Sequence, residues 1–273
     1  MPASFLLRPV LASALVIAAV ALARAEDVPY VATPEETVAA MLTTAGVGPG
    51  DVVVDLGSGD GRIVISAVKD FGARRGLGIE INPRLVAEAR AAAVAAGVAD
   101  RVEFREESLF DADFGAATVL TMYLLPDLNL RLRPKVLAMK AGTRVVSHEF
   151  DMGDWTPDAS RTVLGDENPR GPSVVHFWVV PAQVAGTWSW DENGRTSGIT
   201  LDQRYQRVAA RDGAFAAATV ALRGDRIRID VRPRSADAGD TVYEGQVTGA
   251  TIEGTVTAPG GDPAPWRATR RDS

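Results

Sequence analysis

Asp51-Val52-Val53-Val54-Asp55-Leu56-Gly57-Ser58-Gly59-Asp60-Gly61-Arg62 is the stretch from which the rest of the chain is read. A β-branched run ends in an acid and then breaks into three alternate glycines, the pattern of a buried strand that empties into a tight turn. Apolar positions resume at Ile63, Val64, Ile65, Ala67 and Val68 and stop before Gly72, so the turn opens a helix of about three turns. Strand, glycine turn and helix N-terminus together let a ligand approach bare backbone.

Two ligand classes use such a place, and the residue identities separate them. A dinucleotide fingerprint, G-x-G-x-x-G, requires its third glycine where this chain has Arg62. It also tolerates no carboxylate beside the pyrophosphate, and Asp55 stands just ahead of Gly57. A negative charge repels phosphate and attracts a ligand carrying an ammonium and a sulfonium, which is the chemistry of S-adenosylmethionine. The second signal follows at Gly76-Leu77-Gly78-Ile79-Glu80-Ile81, a strand ending in another acid. It stands about twenty residues beyond the glycines, the separation that sets a carboxylate on a ribose diol in such units. A diol donates two hydrogen bonds and a carboxylate accepts both.

Composition narrows the rest. With 273 residues, 46% of them apolar, the chain can bury one large core or two modest ones. A formal net charge of −6 and a pI near 5.1 speak against a broad nucleic-acid footprint. No cysteine is present, which excludes disulfides, thiol catalysis and thiolate metal sites, and two histidines are too few for a histidine-rich metal centre. Residues 1–25 form a block of their own: Arg8, an apolar run from Val10 to Ala23, and the small-x-small pattern Ala23-Arg24-Ala25. This reads as a secretory signal, cleaved or retained as a membrane anchor, with a run short of the roughly twenty residues that a span requires. The protein is then expected to be periplasmic or membrane-anchored. A true start downstream of Met1 would instead keep it cytoplasmic, where S-adenosylmethionine is made.

The folded part is expected to run from residue 26 to 183, followed by a β-rich domain over 184–273. Thr33, Pro34 and Glu36 have the spacing of a capping box, which predicts a helix ending near Ala45. Tyr30 and Thr33 are then candidates for lining the methionine end of the cofactor. Asn82-Pro83 caps a further helix closed by Gly97, and Arg101 to Phe104 is a third strand. Ala117 to Tyr123 is a fourth strand, Leu128 to Met139 a helix interrupted at Pro134, and Thr143 to Phe150 a fifth strand. In a parallel sheet ligands bind beyond the strand C-termini, so Tyr123 and Asp127 are candidates for the substrate side. His148, at the end of the fifth strand, is either a base or a hydrogen-bonded structural residue. Pro157 to Gly171 reads as a loop and Val174 to Val180 as the last strand of this domain.

From Val184 onward helical periodicity gives way to short runs punctuated by Asn193-Gly194, Gly224-Asp225 and Thr248-Gly249. Seven runs are legible, among them a single one from Ile199 to Val208, and they predict an antiparallel meander forming a small sandwich or partial barrel. Arg223-Gly224-Asp225 matches a cell-adhesion tripeptide but is placed as a hairpin turn.

Residues 51–155 resemble a class I S-adenosylmethionine-dependent methyltransferase, through Asp55-Leu56-Gly57-Ser58-Gly59-Asp60-Gly61-Arg62 and Gly78-Ile79-Glu80-Ile81-Asn82-Pro83. With Ile63-Val64, Tyr123-Leu124-Leu125-Pro126 and Tyr30 to Pro34 added, the chain over roughly 28–156 is similar to the ATP synthase c-subunit lysine N-methyltransferases and their bacterial relatives. The resemblance implies a Rossmann-like, doubly wound α/β sheet of seven strands, S-adenosylmethionine as cofactor and a protein lysine as acceptor. The alternatives are small-molecule N- or O-methylation and a non-catalytic exported binding protein. The Asn-Pro-Pro-Tyr motif of adenine and glutamine methyltransferases is replaced here by Met122 to Pro126, which argues against those substrates. In this family's loop after the third strand an acceptor for the adenine amino group is expected, and Ser108, beside Leu109, stands where Asp is usual. Asp55 would then hold the methionine end, Gly57, Ser58 and Gly59 would shape the loop, and Glu80 would take the ribose.

Overall fold

Val52–Leu56 forms β1 and Arg75–Glu80 forms β2, parallel to it, with Asp55 opposite Gly78. In the computed structural model, which describes residues 30–164, 171–192, 194–213, 215–234 and 239–271, these strands lie side by side in a seven-stranded sheet. The block read as a signal, residues 1–25, lies outside the described residues, as does Asn193 of the Asn193-Gly194 turn.

The remaining strands of this sheet are β3 (Val102–Glu106), β4 (Val119–Met122), β5 (Arg144–His148), β6 (Ala159–Val163) and β7 (Ser173–Val179). Their order is β3-β2-β1-β4-β5-β7-β6, parallel through β5 and antiparallel at the last two. The chain leaves β1 toward β2 on one side and returns to β4 on the other, so the strand order reverses at β1. A crevice opens at such a reversal, beyond the strand C-termini.

Helices cover both faces. α1 (Glu35–Thr44), α2 (Arg62–Lys69) and α3 (Pro83–Ala95) pack together on one face, over a core that includes Met41, Val64, Ala89 and Phe104. α4 (Pro126–Leu137) lies on the other face, with Leu132 and Val136 against Leu56, Leu120 and Trp178. α2 is the expected helix after the glycine turn, shorter than its apolar pattern implied because it stops at Lys69.

Three expectations are corrected. Pro34, not Thr33, takes the cap position of α1, in extended backbone (φ −57°, ψ 148°) and with no side-chain cap bond. The Thr33 hydroxyl has instead found His148 far along the chain, so a tertiary partner displaces the local cap. The stretch read as a loop after Pro157 contains β6, an edge strand with polar, exposed residues and a partner on one side only, which leaves no hydrophobic alternation to detect. The run from Ile199 to Val208 is two strands, because the chain reverses at Tyr205 and Gln206, with Tyr205 at φ +57°.

The second half is therefore an eight-stranded antiparallel sheet: β8 (Gly186–Glu192), β9 (Arg195–Arg204), β10 (Arg207–Gly213), β11 (Ala217–Arg223), β12 (Arg226–Arg232), β13 (Thr241–Thr248), β14 (Thr251–Thr257) and β15 (Ala264–Arg270). The order β10-β9-β8-β15-β14-β13-β12-β11 places β10 and β11 at opposite edges, yet the two touch, so the sheet curls into a partial barrel. Its concave core holds Trp188, Trp190, Tyr243 and Trp266, while β12 alternates Ile227, Ile229 and Val231 inward with Arg226, Arg228 and Arg232 outward. Gly224 and Asp225 form the β11–β12 turn, as placed from the sequence.

Candidate active site

The loop after β1 is fixed by main-chain bonds. The N–H groups of Gly57 and Ser58 both donate to the Ile79 carbonyl, at 2.9 and 3.0 Å. Gly57, Gly59 and Gly61 have φ of +73°, +53° and +80°, which explains why glycines stand there. The space that Gly59 leaves open is taken by the Tyr30 ring, 2.2 Å from where a Cβ would sit, and that at Gly57 by Leu124. Tyr30 thus lies over the loop as a cover. Its phenol is raised above its ordinary range by burial and by Asp60. Burial opposes the ionisation of Asp60, but bonds from Arg62, Nη2 at 2.6 Å and Nε at 3.0 Å, prevail and hold it low. Arg62 Nη1 also donates to the Thr33 carbonyl at 3.0 Å, tying the segment before α1 to the start of α2.

Both strand-ending acids reach the same cleft. Glu80 is clamped, Oε2 accepting from Gly59 N and Oε1 from Asn82 N, each at 2.9 Å. Each oxygen keeps a second lone pair, so the carboxylate can still accept from a diol. Asp55 is buried and accepts from Thr121 Oγ1 at 2.7 Å. Burial pushes its carboxyl up to about 7; the Thr121 bond works against this, and the charges of Glu80 and Asp60 add to it. Ser58 is buried as well, and its hydroxyl has no hydrogen-bond partner among the described residues. A buried orphan hydroxyl beside two acids is what a polar, cationic ligand would complete, so the residues present fit S-adenosylmethionine.

Glu107, Ser108 and Leu109 form the opposite wall. The Ser108 hydroxyl accepts from Phe110 N at 3.3 Å and retains a lone pair. Tyr123 lines the cleft together with Leu124 and Leu128. Asp127 is exposed in the first turn of α4 and is not part of the cleft wall. Leu128 faces the cleft, and the residue before it on a helix points about 100° away. Its position there suits the positive N-terminus of the helix. The cleft thus brings together Asp55, Gly57, Ser58, Glu80, Ser108, Leu109 and Tyr123, with Gly59 directly behind them, and leaves Asp127 out. Reading the sequence missed Thr121, whose place opposite Asp55 is visible only once β1 and β4 are paired. It also missed Leu124 and Leu128, whose apolar character marked them as ordinary core.

A family model described as the ANTKMT methyltransferase domain matches residues 55–159. A protein-lysine N-methyltransferase of Saccharolobus islandicus is 43% identical over 154 residues, 56% of this chain and 94% of that protein. The adenine nucleotide translocase lysine N-methyltransferase of Mus musculus is 36% identical over 155 residues, 54% of this chain and 67% of that one. Among solved structures, an RNA methyltransferase from Salinibacter ruber in complex with S-adenosyl-L-homocysteine is 52% identical. The match covers 56% of this chain and 96% of that one, with a TM-score of 0.51.

Proposed function

The chain belongs to the family of S-adenosylmethionine-dependent protein-lysine N-methyltransferases, and from that premise we propose that it methylates the side-chain amine of a lysine on a partner protein. The observation that carries this reading is the Saccharolobus islandicus relative, matched over nearly its whole length. When bound, the cofactor supplies a methyl group already activated on a positive sulfur, so the protein needs no nucleophile of its own. Its tasks are to bind, to orient and to keep water out. Glu80, held rigid by two main-chain N–H groups, is suited to the ribose; Asp55 and Ser58 to the methionine end; Ser108 and Leu109 to the adenine. Tyr123, Leu124 and Leu128 form a largely apolar wall, which disfavours an ammonium and so helps an incoming lysine to shed its proton.

The Salinibacter ruber protein is described as an RNA methyltransferase, which supplies a second reading. The net charge of −6 does not favour it. The test is transfer of labelled methyl from S-adenosylmethionine to cell extract by the purified full chain. Label recovered as methyl-lysine after acid hydrolysis of the protein fraction is the expected result. Label that nuclease treatment removes, or that stays with small molecules, would overturn the proposal.

A further inference from the structure

At the C-terminal end of β5 several side chains meet that no step above employs. The His148 ring is buried, with Nδ1 3.2 Å from Thr33 Oγ1 and Nε2 3.0 Å from Ser173 Oγ. The Glu149 carboxylate lies 3.6 Å from the same Nε2. Glu149 has φ +63°, a left-handed backbone that a residue with a Cβ adopts at a cost, and such strain gathers at functional places. Two bonds to β7 hold it: its N–H donates to the Val174 carbonyl at 2.7 Å, and Oε1 accepts from Val174 N at 3.1 Å. Tyr123 covers the imidazole, with ring centroids 4.0 Å apart.

Burial lowers the His148 imidazole to about 4, so it is neutral at ordinary pH and carries one proton on one nitrogen. The neighbouring carboxylate decides which. A proton on Nε2 turns the positive end of the N–H dipole toward Glu149, whereas a lone pair there would face a negative charge. With the proton on Nε2, Nδ1 is an acceptor, and the Thr33 hydroxyl must donate to it. Having spent its one proton, Thr33 offers only lone pairs to the cleft it lines.

We infer that Glu149 and His148 are positioning residues that fix the Thr33 hydroxyl as a hydrogen-bond acceptor for an ammonium group in the cleft. Two such groups meet the cleft: the ammonium at the methionine end of the cofactor and, resting on the proposed function, the lysine acceptor, which arrives as an ammonium and still donates N–H bonds as the neutral amine after it sheds its proton. The opposite tautomer would present the hydroxyl as a donor and favour a carbonyl or carboxylate.

With only two histidines in the chain, side-chain ¹⁵N shifts of the full-length protein can be assigned, His176→Gln removing the other set. Predominance of the Nε2–H form of His148, eroded in Glu149→Gln, is expected; a predominant Nδ1–H form overturns the inference. Thr33→Val and Thr33→Ser separate the two ammonium sources. If the cofactor is the partner, the valine variant raises its Kd in calorimetry by about tenfold or more. If the acceptor is the partner, the Kd stays within about twofold while methyl incorporation into extract protein at saturating cofactor falls by a similar factor. Serine restores either quantity. A valine variant equal to the parent in both measurements sinks the idea. Label found on RNA instead removes only the acceptor arm, because the tautomer and cofactor affinity are read without any acceptor.

Discussion

Asp55 carries a pH dependence whose sign follows from its surroundings. Its folded carboxyl is pushed up to about 7, against about 4 for an unfolded chain. The protonated form therefore favours the cofactor-free fold. That contribution is complete below about pH 4 and is lost as the pH rises through about 7. A cationic ligand needs the carboxylate, so binding below pH 7 must expel a proton. Cofactor affinity should rise with pH from 5.5 to 7, approaching tenfold per unit at the acid end. Asp55→Asn should bind more weakly and show no such slope. Calorimetry in buffers of differing ionisation enthalpy reads the released proton directly, and a flat affinity profile for the parent would refute the linkage. At this scale the sequence was informative where position alone decides what a side chain faces: Asp55 and Glu80 stand at or next to the C-terminal ends of their strands, and both line the crevice there. It did not show the outward, exposed position of Asp127, which the helical phase decides, nor the partner of Thr33, which lies 115 residues away.

Among the elements, β2 shows how closely the loop and its neighbours fit. Gly78 has no unusual backbone, but a Cβ there would stand 2.4 Å from Phe104 Cδ1 and 2.5 Å from Ser58 Oγ. Gly78→Ala must therefore displace either the core phenylalanine or the hydroxyl at the cleft. Overpacking of this kind costs about 1–3 kcal/mol. Denaturant unfolding should show that loss, together with weaker cofactor binding if Ser58 is what moves. Gly50→Ala, with open space around it, should be neutral within about 0.5 kcal/mol. If both variants unfold alike, the packing argument fails. The parallel core was legible because β1, β4 and β5 are buried, largely apolar runs with clear breaks. β6 was not, since an exposed edge strand has no face to keep apolar. The join between β9 and β10 was hidden because Tyr205 and Gln206 lack the glycine that usually marks a hairpin.

Across the whole molecule the question is what fastens the eight-stranded sheet to the methyltransferase half. The β9–β10 turn sits on the segment after β5, the strand that ends in His148. Trp155 Nε1 donates to Gln206 Oε1 at 3.0 Å, and Gln206 Nε2 donates to the Thr156 carbonyl at 2.7 Å. The Trp155 ring, fully buried, lies between Trp178 and Tyr205. Around this centre Arg204 and Arg133 both pair with an exposed Asp154. A meander was readable from its turns, but this contact joins residues 51 apart with no local pattern to announce it. Two accounts of the attachment differ in their consequences. If exposed charge holds the halves together, Arg204→Ala should be the damaging change, and added salt should loosen the join. If the buried indole does, Gln206→Ala should be worse, because it strands an N–H that water cannot reach, at a cost of about 1–3 kcal/mol. The second outcome is expected: Gln206→Ala should lower the unfolding midpoint in denaturant clearly more than Arg204→Ala, by an amount that raising the salt concentration leaves unchanged. The reverse order, with a strong salt effect, would assign the attachment to the surface charges.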